Sequence, residues 1–116
     1  MSQWKVREDL TLEIAMDDVE FQEKYEKAFN SLGEKEKKLQ KAGKVSEISR
    51  AYCKMFYELF DDIFGSGTGD NIFEGKMNTT LCEKVYDSFI EHAAADVKRI
   101  NAERSKRLSK YKPIRK

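Results

Sequence analysis

The most apolar stretch of the chain reads AYCKMFYELFDDIF, residues 51–64, and ten of its fourteen residues are apolar or aromatic. Four of its aromatic residues recur at every fourth position: Tyr52, Phe56, Phe60 and Phe64. This is the spacing of one helical face, and further apolar residues on the neighbouring arc indicate burial on two sides. We therefore predict a central helix from about Val45 to Phe64. One of its sides is expected to face the domain core, and the other either a further helix or a partner protein.

An earlier helix is expected from about Val19 to Ala42. Apolar residues in this range repeat at intervals of three, four and seven, which makes one apolar stripe. Asp17 and Glu20 have the spacing of a capping box at its start, and Gly43 is a suitable stop.

A third helix is expected to begin near Thr79, where Thr80 and Glu83 have capping-box spacing. Its apolar stripe runs to Ile100, and the helical period can be continued until Pro113 ends it. The three helices together predict a mainly α, three-helix bundle-like domain.

The connection between the second and third helices holds four of the six glycines of the chain. Gly65 is placed to cap the preceding helix, while Ile72 and Phe73 are expected to dock back on the core. A phosphate-binding loop is not expected, because the glycines follow a helix instead of a strand and no GK[ST] sequence comes after them.

Residues 4–16 alternate between apolar and polar with period two, which is typical of a half-buried strand. A bend near Glu8 would divide this short N-terminal β element into two strands. Because a lone strand leaves its backbone groups without partners, the segment forms either a bent ribbon within one chain or a pair with another copy. In the second case the self-association residues would be Leu10, Leu12 and Ile14.

Charge divides the chain into two parts, although the net charge of its 116 residues is only +1. Residues 1–97 carry a net charge of −7 and residues 98–116 a net charge of +8. We predict one helical domain over residues 1–102, followed by a basic tail or frayed helical extension over residues 103–116. The basic residues of this tail are Arg104, Lys106, Arg107, Lys110, Lys112, Arg115 and Lys116.

Several classes of protein are not expected. There is no apolar run long enough to span a bilayer and no apolar stretch typical of a signal peptide. Cys53 and Cys82 form no CxxC pair, so a disulfide scaffold or zinc site is not expected. His92 has no recognisable nucleophile or orienting partner. The sequence thus predicts a cytoplasmic protein with no catalytic residues, no metal site, no cofactor and no membrane partner.

The basic tail has three interpretations. Its cations could contact phosphates, with Tyr111 stacking on a base, which would make the protein a nucleic-acid-binding accessory protein. They could instead bind an acidic surface on a partner or on another copy, or they could form a solvated terminus.

Particular motifs resemble those of a known class of proteins. They are FDDIFGSGT at residues 60–68, IF-x-GK-x-N at 72–78, VREDL at 6–10 leading to F-x-x-x-Y at 21–25, and the helix that holds Cys82, Tyr86 and Phe89. Over about residues 6–92 the chain resembles small proteins from tailed phages and prophages of low-GC Gram-positive bacteria, of the tail assembly chaperone class of long-tailed phages.

This resemblance implies a mostly α-helical, non-enzymatic protein that coats the tape measure protein, interacts with other tail components and forms homo-oligomers. A wide aromatic stripe suits capture of amphipathic helices. The residues expected to bind the partner are Tyr52, Phe56, Tyr57, Phe60, Phe64 and Phe73.

Overall fold

The computed structural model describes residues 2–39 and 43–110. Within these residues, two strands, β1 (Ser2–Arg7) and β2 (Leu10–Ile14), precede four helices. The helices are α1 (Val19–Lys38), α2 (Val45–Phe64), α3 (Thr68–Phe73) and α4 (Thr79–Lys110). The predicted fold class, mainly α with a short N-terminal β element, is confirmed.

The strands β1 and β2 pair with each other in one antiparallel hairpin, so the β element is a bent ribbon within one chain. Trp4 lies opposite Leu12, and the register shifts between Lys5 and Arg7. The guanidinium group of Arg7 donates hydrogen bonds to the carbonyl oxygens of Asn71 and Ile72, at 2.7 and 2.8 Å. The turn end of the hairpin is thereby attached to α3.

Helix α1 differs from the prediction at both ends. Its N-cap is Asp18 and not Asp17, because the Asp18 carboxylate accepts a hydrogen bond from the backbone N–H of Phe21 at 3.1 Å. It ends at Lys38, since Leu39 takes an extended conformation and packs on the core. Residues 40–42, which the sequence assigned to this helix, lie outside the described residues.

Helix α2 has the predicted bounds, and Gly65 caps it with a φ of 115°. The connection that follows was expected to contain no helix, and this was wrong, because residues 68–73 form α3. Helix α4 begins as predicted, but its first turn is capped by Asn78 and not Thr80: the Asn78 side-chain oxygen accepts from the backbone N–H of Leu81 at 2.9 Å.

The core lies where α2 meets α1, the hairpin, α3 and α4. Its largest fully buried side chains include those of Ile14, Phe60, Phe73 and Phe89. The Trp4 ring stacks on Phe60, with ring centroids 5.7 Å apart, and also contacts Phe89. The prediction that Ile72 and Phe73 dock on the core is confirmed.

Polar contacts fasten the hairpin to α4. The Trp4 indole N–H donates to the Ser88 hydroxyl at 3.0 Å, and the Ser2 hydroxyl lies 2.9 Å from His92 Nε2. Further along α4, the buried carboxylate of Asp96 accepts from Arg99 at 2.7 Å. The Ser2 and Trp4 contacts join the first strand of the domain to its last helix, whereas the Asp96–Arg99 pair lies within that helix.

Candidate partner-binding groove

The residues predicted to bind a partner do not share one surface. Phe60 and Phe73 are almost completely buried, and Tyr57 is also buried, with its ring stacked on Phe73. Tyr52 and Phe64 are half-buried. The structure therefore places most of the aromatic stripe inside the domain, where α1, α3 and α4 cover α2.

One part of the stripe opens onto a groove of about 330 Å³ between α1, α2 and α4. We call it the acidic groove. It is lined by Leu32, Glu36, Tyr52, Met55, Phe56, Glu83, Tyr86 and Asp87.

Aromatic rings form the floor of the acidic groove. The Tyr52 ring meets Phe56 edge-on with centroids 5.0 Å apart, and Phe56 meets Tyr86 in the same way at 5.3 Å. Such edge-to-face pairs hold the rings in defined orientations. The floor is thus an apolar surface whose shape is fixed by the α2–α4 packing.

Carboxylates form the rim of the acidic groove. The Tyr52 hydroxyl donates a hydrogen bond to Glu83 at 2.7 Å, and this bond, more than burial, raises the pKa of Tyr52 to about 12. Burial raises the pKa of Tyr86, and the negative charges of Glu36 and Asp87 raise it further. Three carboxylates therefore surround two tyrosines that stay protonated at neutral pH.

Sequence reasoning missed this acidic rim. Glu83 and Asp87 lie four residues apart, before and after Tyr86, so they share one face of α4. That spacing could have indicated an acidic face beside the aromatic stripe of α2. Glu36 comes from α1, and only the tertiary packing brings it beside the other two.

The self-association residues lie in the hairpin, and none of them is fully exposed. Ile14 is completely buried, while Leu10 and Leu12 are half-buried and pack against the core. Because β2 pairs with β1 of the same chain, these residues serve first to seat the hairpin.

The predicted basic tail is helical as far as Lys110, because α4 continues through residues 103–110. All of residues 101–110 are exposed. We call Arg104, Lys106, Arg107 and Lys110 the basic end of α4. Lys112, Arg115 and Lys116 lie outside the described residues.

The two cysteines are buried free thiols. Burial, together with a hydrogen bond to Cys53 that favours the neutral thiol, raises the pKa of Cys82 to about 12. Within residues 2–39 and 43–110, no three His, Cys, Asp or Glu side chains are grouped so that they could hold a metal ion. In the same part of the chain, no helix has the length and apolar character needed to cross a membrane.

Comparison with known proteins gives one match. Residues 8–116 match a family of unknown function designated DUF6673. The chain belongs to this family. No curated protein and no solved structure shows significant similarity to it. The DUF6673 match includes the whole acidic groove and the basic end of α4, whereas all of β1, including Trp4, precedes it.

Proposed function

We propose that this protein is a non-enzymatic tail assembly chaperone of a long-tailed phage, acting in the cytoplasm of the bacterial host. It holds the tape measure protein through apolar contacts with amphipathic helices until tail subunits replace it. The motifs in residues 6–92 support this proposal by resemblance, and the family assignment is compatible with it.

The observation that carries the proposal is the acidic groove. Two half-buried rings, Tyr52 and Tyr86, form its floor together with the buried ring of Phe56, and all three line an open groove. A groove of this kind accepts apolar side chains at positions i and i+4 of a partner helix. Because Tyr52 and Tyr86 are half-buried, they offer apolar ring surface to such a helix without any rearrangement of the core.

Co-expression with the tape measure protein of the same phage genome tests the proposal. The groove variant carries Tyr52→Ala and Tyr86→Ala, and the matched control carries Phe21→Ala and Tyr25→Ala, which remove two half-buried aromatic rings outside the groove. Wild type and control should keep the tape measure protein in the supernatant, whereas the groove variant should leave it in the pellet. Circular dichroism checks that both variants are folded. If the folded groove variant maintains tape measure solubility as well as wild type does, the proposal is wrong.

A nucleic-acid-binding accessory role is the second candidate. The observation that favours it is the full exposure of the basic end of α4, which gives four cations free access to phosphates. Four phosphate contacts would give log K against log salt a slope of about −3.6 for duplex DNA. Fluorescence anisotropy with labelled duplex tests this role, and a lack of binding at low salt would eliminate it.

A further inference from the structure

Helix α4 carries two surfaces of opposite charge. Its second and third turns supply Glu83 and Asp87 to the rim of the acidic groove, and its last turns form the basic end. The separation agrees with the charge of the whole sequence, in which residues 1–97 carry a net −7 and residues 98–116 a net +8. Opposite charges on separate surfaces favour association between molecules.

The rim carboxylates form no ion pair with a cation in the part of the chain that the structure describes. None of the ion pairs in residues 2–39 and 43–110 includes Glu36, Glu83 or Asp87. All three carboxylates line the same groove, so a cation from outside the domain would meet three negative charges beside the aromatic floor.

The basic end of α4 has the complementary chemistry. Arg104, Arg107 and Leu108 are three and four residues apart, so they share one face of the helix. Leu108 is 60% exposed, which is unusual for a leucine in this domain. This face therefore offers one apolar side chain and two guanidinium groups, and guanidinium groups form strong paired hydrogen bonds with carboxylates.

A chain cannot place this face in its own groove. Asp87 and Arg104 lie on one continuous helix, seventeen residues apart, which corresponds to about 26 Å. Lys110 lies about 35 Å from Asp87 along the same helix. The groove and the basic end can meet only between different copies.

We propose that the acidic groove binds the basic end of α4 from a second copy of the chain, with Leu108 on the aromatic floor and Arg104 and Arg107 against the rim carboxylates. The two surfaces differ, so a pair of copies joined by one such contact retains one free groove and one free basic end. Such head-to-tail contacts continue into rings or filaments. The proposal needs no tape measure protein and does not depend on the proposed function.

Sedimentation velocity of the full chain tests it. Wild type should form species larger than a dimer that grow with concentration and dissociate at high salt. A rim variant with Glu83→Lys and Asp87→Lys should bind at least about tenfold more weakly, and so should an end variant with Arg104→Gln, Arg107→Gln and Leu108→Gln. A control with Glu13→Lys and Glu23→Lys changes the net charge by the same amount as the rim variant, away from the groove, and should associate like wild type.

Mixing the two variants is the decisive measurement. The rim variant keeps an intact basic end and the end variant keeps an intact groove. An equimolar mixture should therefore form one contact and stop at a heterodimer. The proposal is overturned if wild type stays monomeric at millimolar concentration and low salt, whether or not its basic end then binds duplex DNA. It is also overturned if the variants associate like wild type, or if they fail to pair when mixed.

Discussion

The close approach of α3 to α2 can be tested at Gly69. A Cβ atom at this position would lie 2.7 Å from the carbonyl oxygen of Tyr57 and 2.9 Å from its Cα. Both atoms belong to the backbone of α2, so no side-chain rotation relieves the contact. Reaching an ordinary contact near 3.4 Å requires α3 to move by about 0.7 Å.

The cost of Gly69→Ala follows from what α3 holds. Its Ile72 and Phe73 side chains are buried, and the Gly69 backbone N–H donates to Asp61 at 2.7 Å. Overpacking of this kind costs about 1–3 kcal/mol, against which alanine regains up to about 1 kcal/mol of helix propensity. We expect a net loss of about 1–2 kcal/mol in the free energy of unfolding, or about 4–8 °C in Tm for a domain of this size.

Gly33→Ala is the matched control. Gly33 lies in the exposed face of α1, and a Cβ there meets no atom within 4 Å. The same substitution should therefore stabilise the protein by about 0.5–1 kcal/mol. Urea unfolding, followed by circular dichroism and by the fluorescence of Trp4, measures both variants. A Gly69→Ala protein that unfolds at the same or a higher urea concentration than wild type would refute the close-contact argument.

Three further predictions concern buried or perturbed side chains. Trp4→Ala should lower the free energy of unfolding by about 3–5 kcal/mol, because it empties a buried site; a loss under about 1 kcal/mol in urea unfolding would contradict the core position. Since the bond to Glu83 raises the pKa of Tyr52 from 10.0 to about 12, it contributes stability below pH 10 that is lost as the pH rises through 12. Tyr52→Phe should remove the highest tyrosinate step from a spectrophotometric titration, and an unchanged titration would refute the hydrogen bond. Because Cys53 and Cys82 are completely buried and burial raises the pKa of Cys82 to about 12, a thiol reagent at pH 8 should label neither before unfolding; fast labelling of the folded protein would contradict this burial.

The helices were predictable from sequence where periodicity and a stop signal agree. Helix α2 has a dense apolar face followed by Gly65, and both predicted bounds are confirmed. Helix α3 has only six residues, which is too short for a recognisable apolar period. It forms where Gly69 lets its backbone lie against that of α2. Local pattern could not reveal an element that depends on such a tertiary contact.

The hairpin and the groove show a second limit of the sequence. Alternation along residues 4–16 indicated strands, yet nothing local fixed their pairing, since the turn lacks glycine. The contact that holds the turn end, from Arg7 to carbonyl oxygens of α3, joins residues far apart in the sequence. In the same way, the aromatic stripe of α2 was visible, but its open part depends on which rings α1 and α4 leave uncovered. The rim joins Glu36 to Glu83 and Asp87 across nearly fifty residues of sequence.

The contact between Trp4 and α4 has a consequence for synthesis of the chain. Trp4 and Ile14 are made first, but the helix that covers them is not complete until Phe89 and Asp96 have been added. At a translation rate of about 5–20 residues per second, this interval lasts roughly 5–20 s. During that time the inner face of the hairpin can contact α2 but lacks α4, so the order of translation leaves part of this apolar face uncovered until the last helix emerges.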